Sequence, residues 1–275
     1  MVIKTLQRLQ DIEEWKFMSR IQNAFKNGKA FISFLTGGDP DLETSEKLIY
    51  AMEKAGADLI EIGVPFSDPI AEGPVIQEAN ERALSAGCTT DKLFDMVARA
   101  RENTQIPLVY LTYINPIYTY GIERFMKRCK ECGVDGLIIP DLPYEERGEI
   151  ADICKTYGID IISLIAPTSR ERITMIAKEA QGFVYCVSSL GVTGVRTEIK
   201  TDISEMIHLV KEVTDVPCAV GFGIATPEQA ENMAKTADGV IVGSAIVKII
   251  AQQGKMSEKP VFDYVKSMKE AVKKA

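Results

Sequence analysis

Eight short, almost wholly apolar runs recur along the chain, at residues 30–35, 59–64, 108–113, 136–140, 161–166, 183–188, 218–223 and 240–243. A strand that is apolar at every position, rather than at every second one, must be covered on both faces. That is the environment of a parallel sheet lying between a core and a layer of helices. Between the runs, apolar residues recur at helical spacing, for example over 43–54, 91–101, 123–132, 145–157, 204–213 and 228–235. Eight strand–helix units close a ring, so the order predicts an α/β fold, a single (β/α)8 TIM barrel, rather than an open doubly wound sheet. Such a barrel takes about 250 residues. The chain has 275, of which 46% are hydrophobic, so residues 18–275 are assigned to one barrel domain.

Several strands are announced by a similar phrase: Ala55-Gly56-Ala57-Asp58 before the second, Cys132-Gly133-Val134-Asp135-Gly136 before the fourth, Thr236-Ala237-Asp238-Gly239 before the eighth. A glycine there suits a helix C-cap with positive φ. Residues 1–17 stand apart as an N-terminal extension. Ile3, Leu6, Leu9 and Ile12 form a helical stripe, and the segment holds the only tryptophan, Trp15. It reads either as an added helix or as a stretch upstream of a start at Met18.

The net charge of −7 argues against a surface that tracks nucleic-acid phosphates or an anionic membrane. It leaves room for one small anion, because backbone N–H groups hold phosphate without net positive charge. No apolar run approaches the length of a membrane span, and the N-terminus lacks a signal-peptide pattern, so a cytoplasmic enzyme is expected. Six cysteines are scattered through the chain, and only Cys129 and Cys132 are close in sequence. One C-x-x-C without a second pair is a poor zinc site, so the expectation is reduced thiols and no metal.

In a TIM barrel the active site lies at the C-terminal ends of the strands. The one carboxylate inside an apolar run is Glu61, which alternation places on one strand face with Leu59 and Gly63. If that face points inward, burial raises its pKa and makes it a proton donor near neutral pH. The alternative is a structural glutamate paired with a buried cation, but no run contains a basic residue. The loop that follows, residues 65–74, carries Asp68 and Glu72 among three prolines. Glycines cluster at the late strand ends: Gly191 and Gly194 after the sixth run, Gly221 and Gly223 closing the seventh, Gly243-Ser244 opening a helix after the eighth. Loops after the last strands and an open helix N-terminus form the usual phosphate seat of this architecture. Phe34, Leu111, Tyr113, Phe183 and Tyr185 lie near strand ends; each alone suits plain core, and together they suit a flat aromatic substrate with a phosphate tail. The single histidine, His208, falls within a helix and reads as structural, so proton transfer rests on carboxylates and a tyrosine.

The phrases Phe34-Leu35-Thr36-Gly37-Gly38-Asp39-Pro40, Glu61-Ile62-Gly63-Val64-Pro65-Phe66-Ser67-Asp68-Pro69, Gly191-Val192-Thr193-Gly194, Gly221-Phe222-Gly223-Ile224 and Val242-Gly243-Ser244-Ala245 resemble those of tryptophan synthase alpha subunits, in order and with compatible spacing from residue 18 to about 248. The resemblance implies a lyase of tryptophan biosynthesis: retro-aldol cleavage of indole-3-glycerol phosphate to indole and glyceraldehyde-3-phosphate. It implies that Glu61 is the catalytic glutamate that protonates indole C3 and that Tyr185 lines the reacting centre. It puts Thr193, Gly194, Phe222, Gly223, Gly243 and Ser244 around the phosphate, and Phe34, Leu111, Tyr113 and Ile241 around the indole. It also implies an α2β2 heterotetramer in which indole passes to a beta subunit, with residues 65–68 and 191–197 responding to that partner. No cofactor is expected on this chain, and pyridoxal phosphate only on the beta partner.

One position departs from the family pattern. The family carries Asp in the phrase Ala-Asp-Gly-Pro, facing the indole nitrogen, where this chain has Ala71-Glu72-Gly73-Pro74. The charge is kept on a side chain one methylene longer, and Glu72 is the expected second carboxylate. Other readings of the same residues are a stand-alone lyase that releases free indole, a non-catalytic regulator of a beta partner, and a different phosphate-binding barrel enzyme.

Overall fold

The apolar runs pair side by side in one parallel sheet, as strands buried on both faces require. A computed structural model describes residues 19–187, 203–221 and 223–275 of the chain. The strands are β1 (Ala30–Thr36), β2 (Leu59–Gly63), β3 (Leu108–Leu111), β4 (Gly136–Ile138), β5 (Asp160–Ile161), β6 (Ser163–Ile165), β7 (Val184–Val187), β8 (Cys218–Gly221) and β9 (Gly239–Val242). Their order around the sheet is β5-β4-β3-β2-β1-β9-β8-β7-β6. The two ends of that order, β5 and β6, are one stretch of chain interrupted at Ile162. The fifth predicted run is therefore two short segments, the first paired with β4 and the second with β7. Ile162 still donates its N–H to the Leu137 carbonyl at 2.8 Å, so the chain itself closes the barrel across the break.

The helices are α1 (Arg20–Asn23), α2 (Leu42–Ala55), α3 (Pro74–Ser85), α4 (Thr90–Arg101), α5 (Ile114–Tyr120), α6 (Ile122–Cys132), α7 (Gly148–Tyr157), α8 (Arg170–Lys178), α9 (Ile203–Lys211), α10 (Pro227–Ala234), α11 (Ser244–Gln253) and α12 (Glu258–Val272). Local chemistry sets their starts. Asp41 caps α2 by accepting from the Thr44 N–H at 2.7 Å, α3 opens on Pro74, and Thr226 with Gln229 forms a reciprocal capping box on α10. The helix expected over 145–157 divides into a 3-10 turn (Tyr144–Glu146) and α7, with Arg147 at the joint. No helix among the described residues is long and apolar enough to cross a membrane. The N-terminal extension expected at 1–17 lies outside the described residues.

Alternation sorts each strand into two faces. Phe31, Leu35, Ile60, Ile62, Leu108, Tyr110, Val240 and Val242 point outward and pack with the helices into the main hydrophobic cluster. Ile32, Leu59, Val109, Ile138, Ile162, Phe183, Ala219 and Ile241 point inward and fill the barrel. Ile21 of α1 and Ala24, which ends that helix, join the inner cluster and plug its lower end. Glu61, between the outward Ile60 and Ile62, therefore points into the barrel above Leu59.

The recurrent phrase at the start of the strands has a structural cause, and it lies more in the aspartate than in the glycine. Gly56 and Gly133 do cap α2 and α6 in the left-handed conformation, with φ of 106° and 86°. Gly239 does not: it is the first residue of β9, and the preceding helix ends on Lys235 in right-handed geometry. What the three phrases share is a reciprocal bond to the neighbouring strand. Asp58 donates its N–H to the Phe31 carbonyl and accepts the Phe31 N–H on its carboxylate, at 2.9 and 2.7 Å. Asp135 does the same with Leu108, at 2.8 and 2.8 Å, and Asp238 with Cys218, at 2.8 and 2.8 Å. Each of these acids also meets a cation: Lys269 on Asp58 at 2.5 Å, Arg101 and Arg20 on Asp135 at 2.7 and 2.8 Å, Lys211 on Asp238 at 2.7 Å. The lower rim is thereby stitched strand to strand.

Candidate active site

The upper end of the barrel is built from the loops that leave β1, β2, β3 and β9. Strand register places Phe34 of β1 directly beside Glu61 of β2, and Glu61 beside Val109 of β3. Glu61 is only 1% exposed, and its Oε1 has no hydrogen-bond partner. No cation pairs with it among the described residues. Burial alone raises its pKa from 4.5 to about 8. At neutral pH the carboxyl therefore keeps its proton, because the low-dielectric interior disfavours the charged form.

Tyr185 of β7 faces the same space. Its phenol is driven well above its ordinary range, first by burial and then by the charge of Glu61, so the two groups interact across the barrel. Gly221 on the neighbouring β8 makes room for it: a Cβ there would overlap the Tyr185 hydroxyl.

The second carboxylate arrives from outside the barrel. β2 ends at Gly63, and the proline-rich loop leads through Glu72 to the start of α3. Glu72 is 7% exposed. Asn80, two turns into α3, donates its amide to Glu72 Oε2 at 2.6 Å, and Gln77 donates to the Glu72 carbonyl at 2.7 Å. The Tyr113 hydroxyl accepts the Ala71 N–H at 3.0 Å, next to Glu72 in the same loop. Burial raises the Glu72 pKa, while the bond from Asn80 and, to a smaller degree, the nearby Tyr113 phenol oppose that rise. The two buried acids are thus treated differently: Glu61 is left bare, whereas Glu72 is held by the Asn80 amide.

Around them lies an apolar wall. Phe34 packs with Ile76, Ala79 and Val247, and with the partly buried Val75 and Leu111, so β1, α3 and α11 meet over the mouth. Ile241 lies one layer deeper, level with Ile32. Tyr113 lies past the end of β3, at the start of α5, with the Phe66 ring 5.5 Å from its own. Gly243 closes β9 and precedes Ser244, the first residue of α11. That helix has no side-chain cap and no acid in its first turn. Gly223 follows β8 with φ of 89°.

Of the residues expected from the sequence, the structure brings Phe34, Glu61, Glu72, Leu111, Tyr113, Tyr185 and Ile241 together at the upper end of the barrel. Gly223, Gly243 and Ser244 lie at the neighbouring strand ends. Thr193, Gly194 and Phe222 lie outside the described residues. Phe183 belongs lower down, stacked with Phe25 of the floor at 5.8 Å between ring centroids. Asp68 is exposed and bonds to Ser67 beside it. His208 is exposed on α9 next to Glu212. Cys129 and Cys132 are buried free thiols on α6, and Cys132 donates to the Cys129 carbonyl at 3.5 Å. One participant was not expected, Asn80, and Gly221, grouped from the sequence with the phosphate glycines, instead makes room for Tyr185. Asn80 had a legible trace, being the one amide on the buried face Ile76, Ala79, Asn80, Ala83 of α3.

Comparison with known proteins gives a uniform result. A family model described as tryptophan synthase alpha chain matches residues 21–275. A tryptophan synthase alpha chain from Lacticaseibacillus casei is 50% identical over 255 residues, spanning 93% of this chain and 96% of that one. The crystal structure of a tryptophan synthase alpha chain from Legionella pneumophila superposes with a TM-score of 0.84 at 35% identity, over 93% of this chain and 98% of that one. A chain from the tryptophan synthase a2b2 complex of Pyrococcus furiosus superposes with a TM-score of 0.81 at 36% identity, over 88% and 99%.

Proposed function

The chain belongs to the tryptophan synthase alpha chain family, and from that premise we propose that Glu61 and Glu72 are the acid–base pair with which it cleaves indole-3-glycerol phosphate to indole and glyceraldehyde-3-phosphate. The observation that carries this reading is a buried, unpaired carboxyl facing into the barrel mouth, held protonated to about pH 8. Indole is a poor carbanion, so the bond between C3 and the glycerol carbon breaks only as a proton reaches C3. Glu61 in its acid form supplies that proton. The positive charge that develops on the ring makes the indole N–H acidic, and Glu72, held beside the mouth by Asn80 and Gln77, stabilises it as a carboxylate. The adjacent glycerol hydroxyl loses its proton to the same acid pair as its carbon becomes the aldehyde. Both products then balance, one proton gained at C3 and one lost at oxygen.

Phe34, Leu111, Tyr113 and Ile241 take the flat faces of the indole, and Tyr185 closes the floor of the reacting centre. The phosphate is assigned to the open N-terminus of α11 at Gly243 and Ser244, with Gly223 beside it. A helix start with unpaired N–H groups and no acid nearby suits a dianion. Thr193, Gly194 and Phe222 are assigned to the same phosphate from the sequence pattern. The chemistry asks for no cofactor on this chain. The assembly is an α2β2 complex, with indole passed to a pyridoxal-phosphate beta subunit, in the cytoplasm.

The test is indole release from indole-3-glycerol phosphate by the purified chain, alone and with a tryptophan synthase beta subunit, beside Glu61→Gln. Cleavage that rises with the partner and disappears in Glu61→Gln supports the reading. Substrate binding without cleavage under both conditions overturns it and leaves a regulatory role.

A further inference from the structure

We propose that Asn80 is a positioning residue of the reaction: from the second turn of α3 it fixes one oxygen of Glu72, and its reach is matched to the extra methylene of that glutamate. This rests on the reading of Glu72 as the carboxylate that faces the indole nitrogen. Asn80 is 3% exposed, and its bond to Glu72 is short, 2.6 Å. The Glu72 backbone has a second tie to the same helix through Gln77. Glu72 is therefore held at both its main chain and its side chain by one rigid element, the arrangement that holds a reacting group to a fraction of an ångström.

Tyr113 holds the same loop from the main chain: its hydroxyl accepts the N–H of Ala71, the residue before Glu72. A donor onto a buried carboxylate favours the ionised form, against the burial that disfavours it. Glu61 has no such donor on Oε1. Asn80 is then the residue that separates the roles of two buried acids.

The α3 helix is itself anchored away from the site. Arg82, two residues beyond Asn80, makes a bidentate pair with the fully buried Asp39 in the loop after β1, both bonds at 2.8 Å. The helix therefore cannot slide to follow a shorter side chain. If the gap between the loop and α3 is fixed, moving a methylene from one partner to the other should preserve the bond, and removing it should not.

The experiment uses the full-length chain with its beta partner for turnover and the full-length chain alone for titration. Carboxyl carbon NMR with Glu72→Gln as assignment control gives the Glu72 midpoint. In Asn80→Leu, that midpoint should rise by about one pH unit or more, and kcat should fall about 10- to 100-fold with KM changing much less. The low-pH limb of the rate profile should move up with it. Glu72→Asp and Asn80→Gln should each lower kcat about tenfold. The double variant, which restores the summed length, should recover at least the loss from one of them. A Glu72 midpoint unmoved in a folded Asn80→Leu chain overturns the proposal. So does a double variant whose loss equals the product of the two singles, and this second arm also decides if Asn80→Leu does not fold. A wild-type chain that cleaves no substrate would instead count against the reaction assigned above, and the titration would still decide whether Asn80 sets Glu72.

Discussion

The two rims of the barrel handle buried acids in opposite ways. At the lower rim, Asp58, Asp135 and Asp238 each accept a strand N–H and each touch a cation. At the upper rim, Glu61 and Glu72 are at least as buried, yet neither meets a cation among the described residues. Burying a charge is costly unless a partner compensates. The lower acids are compensated and hold strands together. The upper acids meet no cation, and burial raises the pKa of both, that of Glu61 to about 8, which is what proton transfer near neutral pH requires. The contrast assigns stability to one end and chemistry to the other without reference to any ligand.

The largest expected effect is at Glu61. Glu61→Gln should lower kcat by about three orders of magnitude or more, the scale of losing both acid catalysis and its electrostatic role. It should not lower stability. In the unfolded chain Glu61 releases its proton near pH 4.5, and in the folded chain near 8. Between those values the native state binds more protons than the unfolded one, so stability falls as pH rises through that window. Glutamine has no proton to lose. The variant should therefore match the wild type near pH 4 and melt at a higher temperature near pH 8. A melting curve lower than wild type at pH 8 would mean that Glu61 has a structural partner, and the contrast between rims would fail. Activity should also decline above about pH 8 as the wild-type acid ionises.

Arg101→Met probes the opposite end. Arg101 donates to Asp135 and to the carbonyls of Gly133 and Ile106, at 2.7, 2.8 and 2.5 Å. Its removal leaves Asp135 buried with only the half-exposed Arg20, and Asp135 is a group whose pKa burial already raises against the two arginines. The expected cost is about 3 kcal/mol of stability, read from denaturant midpoints, with kcat per folded molecule unchanged. A loss of kcat without a loss of stability would place Asp135 on the wrong side of the comparison.

What could be read in the sequence follows from the same physics. Glu61 was legible because a carboxylate inside a strand covered on both faces has few explanations. The eight runs were legible for a related reason, though the break at Ile162 was not, since no residue type marks where a strand changes neighbours. The lower-rim aspartates were visible as a repeated phrase, but the glycines in it drew the inference toward helix caps, which Gly239 does not form. Their reciprocal bonds join strands roughly 20 to 27 residues apart, a distance that local patterns do not encode. The loop offered Asp68 and Glu72 alike, and only the resemblance chose Glu72 between them; Asn80 left no more than an amide on a buried helix face. The role of Asn80 exists only once the loop after β2 and the second turn of α3 are folded against each other.

Glu72→Asp sharpens the comparison within the upper rim. The family pattern has the shorter acid, which on its own argues that restoring it would help. The structure argues the reverse, because the 2.6 Å bond from Asn80 is made by the longer side chain. We expect kcat to fall about tenfold, measured as indole release with the beta partner present. A tenfold gain would mean that Glu72 is held away from the reacting atoms by Asn80 rather than toward them.

The smallest effect should come from Lys211→Met, and it tests whether burial, rather than the mere presence of a pair, sets the value of a lower-rim bridge. Lys211 and Asp238 lie 2.7 Å apart, as close as Arg101 and Asp135, but their side chains are 35% and 37% exposed against 10% and 9%. Water screens the first pair and can solvate Asp238 once the lysine is gone, while the bond from the Cys218 N–H to that carboxylate remains. The expected cost is about 0.5–1 kcal/mol, and it should shrink further in about 1 M salt, where the screening length is only about 3 Å. A cost equal to that of Arg101→Met, persisting in salt, would mean that the stitch itself carries the energy, and that the acids of the two rims differ in connectivity more than in compensation.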